Sequence, residues 1–377
     1  MAPCFMLFLK ESDTPAYFPL YEYDMIIGKN EWLKKRYVMI QFEKTPEMNK
    51  AMKNLIDSML QMREYLSDVL PYMENVLTPS NEKELIKILK KYDIPDKDLQ
   101  KEISELKENP YFKNIALQKV DTDTVRYQRS VIRKRTLMNM DFHKPLGKYL
   151  FHYHPIGYFA EDLELPVLME GDNVWMSPAV SEIESMRIGI DKGHGKCLTF
   201  GLGIGLIAYM WLLKDNVDSV TVVEVNKDVI DLFEDQILPQ FDTEKKVTII
   251  HASAYDQWNE DFLKEFDYVY ADFWESTEDG LPCYANLMEK KIDLPHIDYW
   301  IEDSILADIK YMVISYLSVV YHKRSVMDFM SSIDQDMKRY AIKINKYFKR
   351  RNDTIGTEDE LLSLIQSKEI LREILSI

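Results

Sequence analysis

Apolar positions change their period several times along the chain. From Pro46 to Leu77, residues Met48, Met52, Leu55, Ile56, Met59, Leu66, Val69 and Leu70 recur at three- and four-residue spacing, which predicts one buried face of a long helix. Thr78-Pro-Ser-Asn81 breaks that run, and Asn81 with Glu84 three residues on resembles a capping box opening a second helix. Ile94-Pro95-Asp96 interrupts again. Leu99, Ile103 and Leu106 then predict another helix, and a further one is expected through Asp123 to Met138. Between about 147 and 177 short aromatic and β-branched runs take over. Pro166–Glu170 and Asn173–Met176, separated by Gly171-Asp172, predict a hairpin, after which Pro178 opens a helix through Met186. From 195 to 273 continuous apolar strands at 196–200, 219–224, 246–250 and 268–272 alternate with helices at 206–214 and 228–237. Such alternation predicts an α/β unit, a mostly parallel sheet with helices on both faces. Beyond about 300 the chain returns to helix, with basic faces at Lys338, Arg339, Lys343 and Lys346.

Composition narrows the class. Hydrophobic residues at 46% and charged ones at 29% are the balance of a globular chain rather than a disordered one. Lys+Arg number 47 against 63 Asp+Glu, a net charge of −16. That surface repels phosphate backbones, so no nucleic-acid partner is expected. Cys4, Cys197 and Cys283 offer neither a disulfide framework nor a zinc spacing, which points to a reduced, cytoplasmic protein. The longest apolar stretch, Tyr311–Tyr321, falls short of the ~20 residues that cross a bilayer, and residues 1–10 lack the basic region of a signal peptide, so no membrane partner is expected.

Glycine is where the sequence is most informative. The chain has only 12, and six of them are Gly189, Gly193, Gly195, Gly201, Gly203 and Gly205. A strand leading through Gly201-Leu-Gly203-Ile-Gly205 into a helix brings bare backbone close to a ligand at the carboxyl edge of a sheet, with Gly205 letting the helix pack closely. Glu224, at the tip of the next strand, is placed to accept both hydroxyl hydrogens of an adenosine ribose. The plainer alternative is a solvated strand-end acid after an ordinary tight turn. A dinucleotide site would want its third glycine at 206, where Leu206 stands.

The spacing G-x-G-x-G resembles the first motif of class I S-adenosylmethionine-dependent methyltransferases, and the likeness runs over roughly residues 166–285. Val222–Ile230 is similar to that family's second strand with its ribose-binding acid, Ile249–Ala254 to its third strand and adenine loop, and Phe266–Asp272 to its fourth strand with a terminal acid at the reacting centre. Thr199 stands where an acid commonly precedes the glycine loop, and Ser253 where Asp often meets the adenine amino group. Within the superfamily the nearest likeness is to the spermidine-synthase-like branch. A hairpin and a helix carrying Ser181-Glu182 precede the glycine loop, and Asp272-Phe-Trp-Glu275 is similar in spacing to that branch's Asp-x-x-Asp. Glu275 replaces the second Asp, and Phe273 and Trp274 replace small hydroxyl residues, which narrows the substrate entrance.

The resemblance implies a Rossmann-like core at 181–305, preceded by a mainly helical N-terminal domain at 1–145 and a hairpin-containing substrate-side element at 146–180. A helical C-terminal extension at 306–377 is expected to build the substrate pocket or a homodimer interface. It implies S-adenosyl-L-methionine as cofactor, held by Gly201, Leu202, Gly203, Gly205, Glu224, Val225, Ser253, Ala254 and Asp272. Asp272 is then the base or substrate orienter, with Glu275 as its partner, and Trp274, Tyr284 and Glu182 meet the substrate. Against these roles stand a turn-capping Asp272, core aromatics and a helix-surface Glu182. The expected function is methyl transfer to an unidentified small molecule, an amine among the candidates. The alternatives are aminopropyl transfer from the decarboxylated cofactor and a non-catalytic interaction module. His152 and His154, with His143 nearby, share a strand face, but no Cys or carboxylate completes a ligand set, so no metal is expected. Arg129, Arg133, Lys134 and Arg135 read as a solvated helix face.

Overall fold

A computed structural model describes residues 39–94, 99–140, 144–146, 148–149, 151–153, 155–177 and 179–377. The apolar runs build a sheet of five parallel strands: Gly195–Phe200, Val217–Glu224, Lys246–His251, Tyr268–Ala271 and Ile297–Tyr299. Their spatial order is third, second, first, fourth, fifth. The chain therefore turns away in opposite directions from the adjacent first and fourth strands, and a crevice opens beyond their carboxyl ends. Cys197, Leu198, Thr199, Phe200, Val269 and Ala271 are all fully buried, as a sheet covered on both faces requires. Helices lie on both sides of it, an arrangement compatible with a Rossmann-like fold.

The helix Val180–Lys192 reaches the sheet through two missing side chains. A Cβ at Gly189 would come within 2.6 Å of the Tyr270 ring, and one at Gly193 within 2.3 Å of the Trp211 indole. These two glycines serve close packing rather than a special backbone. The helix Leu206–Leu212 starts from Gly205 in the left-handed region, at φ 74°.

A second, antiparallel sheet lies before the first. Its order is Asn173–Met176, Leu163–Glu170, Val125–Ile132 and Val120–Asp121. The hairpin expected at 166–176 is present, with Gly171 at φ 58° in its turn. The helix expected over Asp123 to Met138 is not: Val125–Ile132 pairs residue by residue with Leu163–Glu170, from Val125 opposite Glu170 to Ile132 opposite Leu163. Val125 and Tyr127 are buried two residues apart, the period of a strand. The basic residues there follow the strand and its turn instead of a helix face. Arg129 lies 3.7 Å from Glu164, Arg133 3.2 Å from Asp162, and Arg135 2.9 Å from Glu82. Thr124, at the start of that strand, donates to Asp228 at 2.7 Å and ties the small sheet to the helix that follows Glu224.

The helices Pro46–Val69 and Pro79–Lys91 form as expected, but the cap of the second lies three residues earlier. Thr78 Oγ1 accepts from the Asn81 amide at 3.3 Å and Pro79 fills the first turn, so Asn81 is not the cap. Leu99, Ile103 and Leu106 are buried, yet they sit around a short strand, Gln100–Lys101, and a single turn, Ser104–Lys107, rather than in one helix. The C-terminal part is helical: Glu302–Tyr321, Val326–Ser331, Lys338–Phe348, Glu358–Gln366 and Lys368–Leu375. Glu302–Tyr321 is long and apolar enough to cross a bilayer, and 67% of its most apolar window is buried within the fold. His143 and His154 lie outside the described residues, as does the side chain of His152; among the described residues no cluster could hold a metal ion.

Candidate functional site

At the carboxyl ends of the first, second and fourth strands lies a cavity of about 320 Å³. The glycine bend supplies Gly201, Leu202 and Gly203; the second strand supplies Val223, Glu224 and Val225. Ser253, Ala254 and Tyr255 come from the loop after the third strand, and Asp272, Phe273 and Trp274 from the end of the fourth. These are four segments distant in sequence and adjacent in the sheet.

The bend is tighter than bare backbone awaiting a ligand. A Cβ at Gly201, whose φ is 97°, would lie 1.8 Å from the Asp272 carbonyl oxygen. At Gly203 it would lie 2.2 Å from Met176 Sδ, and at Gly205 2.4 Å from the Phe233 ring. Each glycine thus has a neighbour within the protein, and Gly205 does not line the cavity. Met176 reaches over the bend from the hairpin, and its thioether accepts from the Ile204 amide at 3.3 Å.

Glu224 is 5% exposed, and what it shows faces this cavity. Its Oε2 accepts from the Leu202 amide at 3.0 Å and its Oε1 from the Asn226 amide at 2.7 Å. Burial pushes its carboxyl above the usual range, while these amides and that of Val225 pull it back down. A carboxylate has roughly four lone-pair sites. Three amides leave about one for a ligand hydroxyl, fewer than the two a ribose diol presents. Ser253 Oγ is likewise engaged, accepting from the Tyr255 amide at 3.3 Å as the cap of a short helix.

Asp272 and Glu182 form the other pole. Glu182, on the helix Val180–Lys192, is 5% exposed and lines the cavity with Asp272. Among the described residues no donor is bonded to either carboxylate. Burial pushes Glu182 up to about 8, and the nearby Asp272 adds to it; burial alone pushes Asp272 up to about 8. No lysine, arginine or histidine is among the lining residues.

The remaining walls are aromatic and aliphatic. Trp300, hydrogen-bonded through its backbone amide to Ala271 at 2.9 Å, donates its indole N–H to Ser185 Oγ at 2.7 Å. Phe273 meets Trp274 edge-on at 5.0 Å between centroids and Tyr255 at 5.6 Å. Met186 and Ile207 close the inner side, and Trp175 stands beside Met176 on the hairpin.

Gly201, Leu202, Gly203, Glu224, Val225, Ser253, Ala254, Asp272, Trp274 and Glu182 thus line one cavity. Gly205, Tyr284 and Glu275 do not. Tyr284 is fully buried elsewhere, donating to Glu302 at 2.5 Å, and belongs to the anchorage of the C-terminal helix. Glu275 is exposed outside the cavity, with the acids Asp279 and Glu170 nearby. Sequence reasoning missed Trp175, Met176, Met186, Ile207 and Trp300 as wall residues. The hairpin signal at 173–176 marked the first two, and only their facing was hidden. Trp300 follows a three-residue strand too short to announce itself.

The fold and site together define a mixed α/β protein with a parallel sheet and an acidic, aromatic-walled cavity at its carboxyl edge. No family model and no curated protein matches the sequence. Among solved structures the chain is similar to a spermidine synthase from Thermotoga maritima, at 17% identity over 41% of this chain and 59% of that one, with a TM-score of 0.26. The chain so spans less than two thirds of that protein's length, and a superposition of that quality says nothing about what this chain binds.

Proposed function

We propose that the chain is a transferase that moves an alkyl group from an adenosyl sulfonium to an amine, with S-adenosyl-L-methionine as donor and methyl as the group moved. The observation that carries this reading is the lining itself: three carboxyl groups, Glu182, Glu224 and Asp272, face one cavity that includes no basic side chain, and a cationic guest draws them into the ionised form. Such a space favours a cationic guest and disfavours a nucleotide phosphate. The residues fit the donor's chemistry. Glu224 has an acceptor site left for a ribose hydroxyl, Val225, Ala254 and Tyr255 offer apolar surface to a base, and Gly201–Gly203 border the tail. When bound, the donor supplies an electrophilic carbon on positively charged sulfur. Asp272 and Glu182 hold and orient the ammonium form of the acceptor. One of them takes the proton that nitrogen must lose before it has a lone pair to give.

Aminopropyl transfer is the second reading, favoured by the same lining. A donor carboxylate would meet no cation there, whereas decarboxylated S-adenosylmethionine carries none. Calorimetric titration with both donors tests the class and chooses within it. Saturable binding of either is expected, weakened at least tenfold in Glu224→Ala, as loss of a charged acceptor costs about 1.5–3 kcal/mol. Glu224→Gln, which keeps an oxygen for the Leu202 amide, separates ligand loss from collapse of the bend. Binding of neither donor, or undiminished binding by both variants, would sink the proposal.

A further inference from the structure

Resting on that reading, we infer that the acceptor is an amine with one cationic nitrogen on a bulky apolar body, an arylalkyl monoamine, and not a linear diamine or polyamine. Five aromatic rings line the cavity, Trp175, Tyr255, Phe273, Trp274 and Trp300 among eighteen residues in all. Four of them are held by contacts within the protein. Trp300 is latched to Ser185, Phe273 is wedged edge-on between Tyr255 and Trp274, and Gly280 makes room for the Trp274 ring, since a Cβ there would come within 2.9 Å of its Cδ1. Rigid aromatic surface rewards a flat or branched apolar body and, at its edge, a single cation.

The placement of acids argues the same way. Away from Glu224, which serves the donor, the cavity's carboxyl groups are gathered at one pole, Glu182 with Asp272. A linear diamine needs a second anion at its far end, and the residue spaced for it, Glu275, is exposed outside the cavity. Its neighbour Asp279 is already committed, accepting from the Glu275 and Ser276 amides at 2.8 Å and from the Ser276 hydroxyl at 2.7 Å. A second ammonium lodged deeper among the rings would exchange its water for cation–π contact alone, with no carboxylate to pair it, and exposed carboxylates at the rim repay little of that.

The experiment titrates the full-length chain with phenethylamine, cyclohexylmethylamine, putrescine and spermidine, each with and without saturating S-adenosylhomocysteine, and reads any alkylated product by mass spectrometry. Phenethylamine is expected to bind at least tenfold tighter than putrescine. Phe273→Ser is expected to cut that preference at least fivefold and Phe273→Leu to restore most of it, with thermal melting as the control for folding. Equal or tighter binding of putrescine or spermidine overturns the inference, as does an unchanged preference in a folded Phe273→Ser protein. Because the amine titrations also run without any nucleoside, failure of donor binding strikes the proposed function alone, and a reversed amine preference strikes this inference alone.

Discussion

Gly201 and Gly203 sit two residues apart with positive φ, yet their substitution by alanine should have very different costs. At Gly203 the added methyl would press on Met176 Sδ, a side-chain atom that can shift by giving up its bond to the Ile204 amide, so the penalty is that weak bond and the left-handed backbone, the latter about 1–2 kcal/mol. At Gly201 it would meet the Asp272 carbonyl oxygen, backbone that cannot swing aside without parting the first and fourth strands. Gly201→Ala is therefore expected to lose more than 3 kcal/mol or to fail to fold. Urea unfolding of both variants checks the order, and a Gly201→Ala protein as stable as Gly203→Ala would refute the packing described for the bend. The Gly201–Gly205 bend was legible as bare backbone at the carboxyl edge of the sheet, and its glycines do have positive φ. What could not be read was that protein atoms, Met176 from another sheet and Asp272 from another strand, fill the space beside it.

Among the elements, the last helix is the one held most visibly by charge. Glu302 opens Glu302–Tyr321 and is 7% exposed. It accepts from Arg372 Nε at 2.8 Å and from Tyr284 at 2.5 Å, with Lys368 Nζ at 3.3 Å. Arg372→Ala leaves a buried carboxylate short of its best partner and is expected to cost about 2–3 kcal/mol, Lys368 still serving it. Glu302→Gln, which removes the charge but keeps hydrogen bonds, should cost less. Denaturant midpoints for the two variants decide, and the reverse order would contradict this account. Elements with continuous apolar runs were plain in the sequence: the strands around 196–200, 219–224, 246–250 and 268–272 all appear within a few residues of their expected bounds. The strand at 125–132 was not, because only Val125 and Tyr127 are buried along it, and the outer half, Arg129 to Ile132, alternates only between exposed and half-buried positions without an apolar residue at 129 to continue the run. Its partner lies almost forty residues on, and a pairing at that range leaves no local trace.

On the scale of the whole molecule the cavity's acid pair, buried Glu182 and half-buried Asp272, sets how stability follows pH. With folded-state values near 8 for Glu182 and Asp272, above those of exposed carboxyls near 4, the native state binds more protons than the unfolded chain between those limits. Stability contributed by the pair is thus present at low pH and lost as pH rises from about 4 to about 8. Melting temperature of the ligand-free protein should fall across that window more steeply than in Asp272→Asn. A saturating cationic amine should flatten the fall, since it pairs with the ionised form. Identical profiles for wild type and variant would show that the pair is not held in apolar surroundings. The site's polar half was visible because strand-end acids follow apolar runs. Its walls were not, since Trp175, Met186, Ile207 and Trp300 come together only through the seating of one sheet and several helices on another.

Three of the protein's six tryptophans, Trp175, Trp274 and Trp300, share that one wall. Any guest that displaces water there alters the surroundings of half the indoles at once. The molecule carries a built-in optical reporter of its own occupancy.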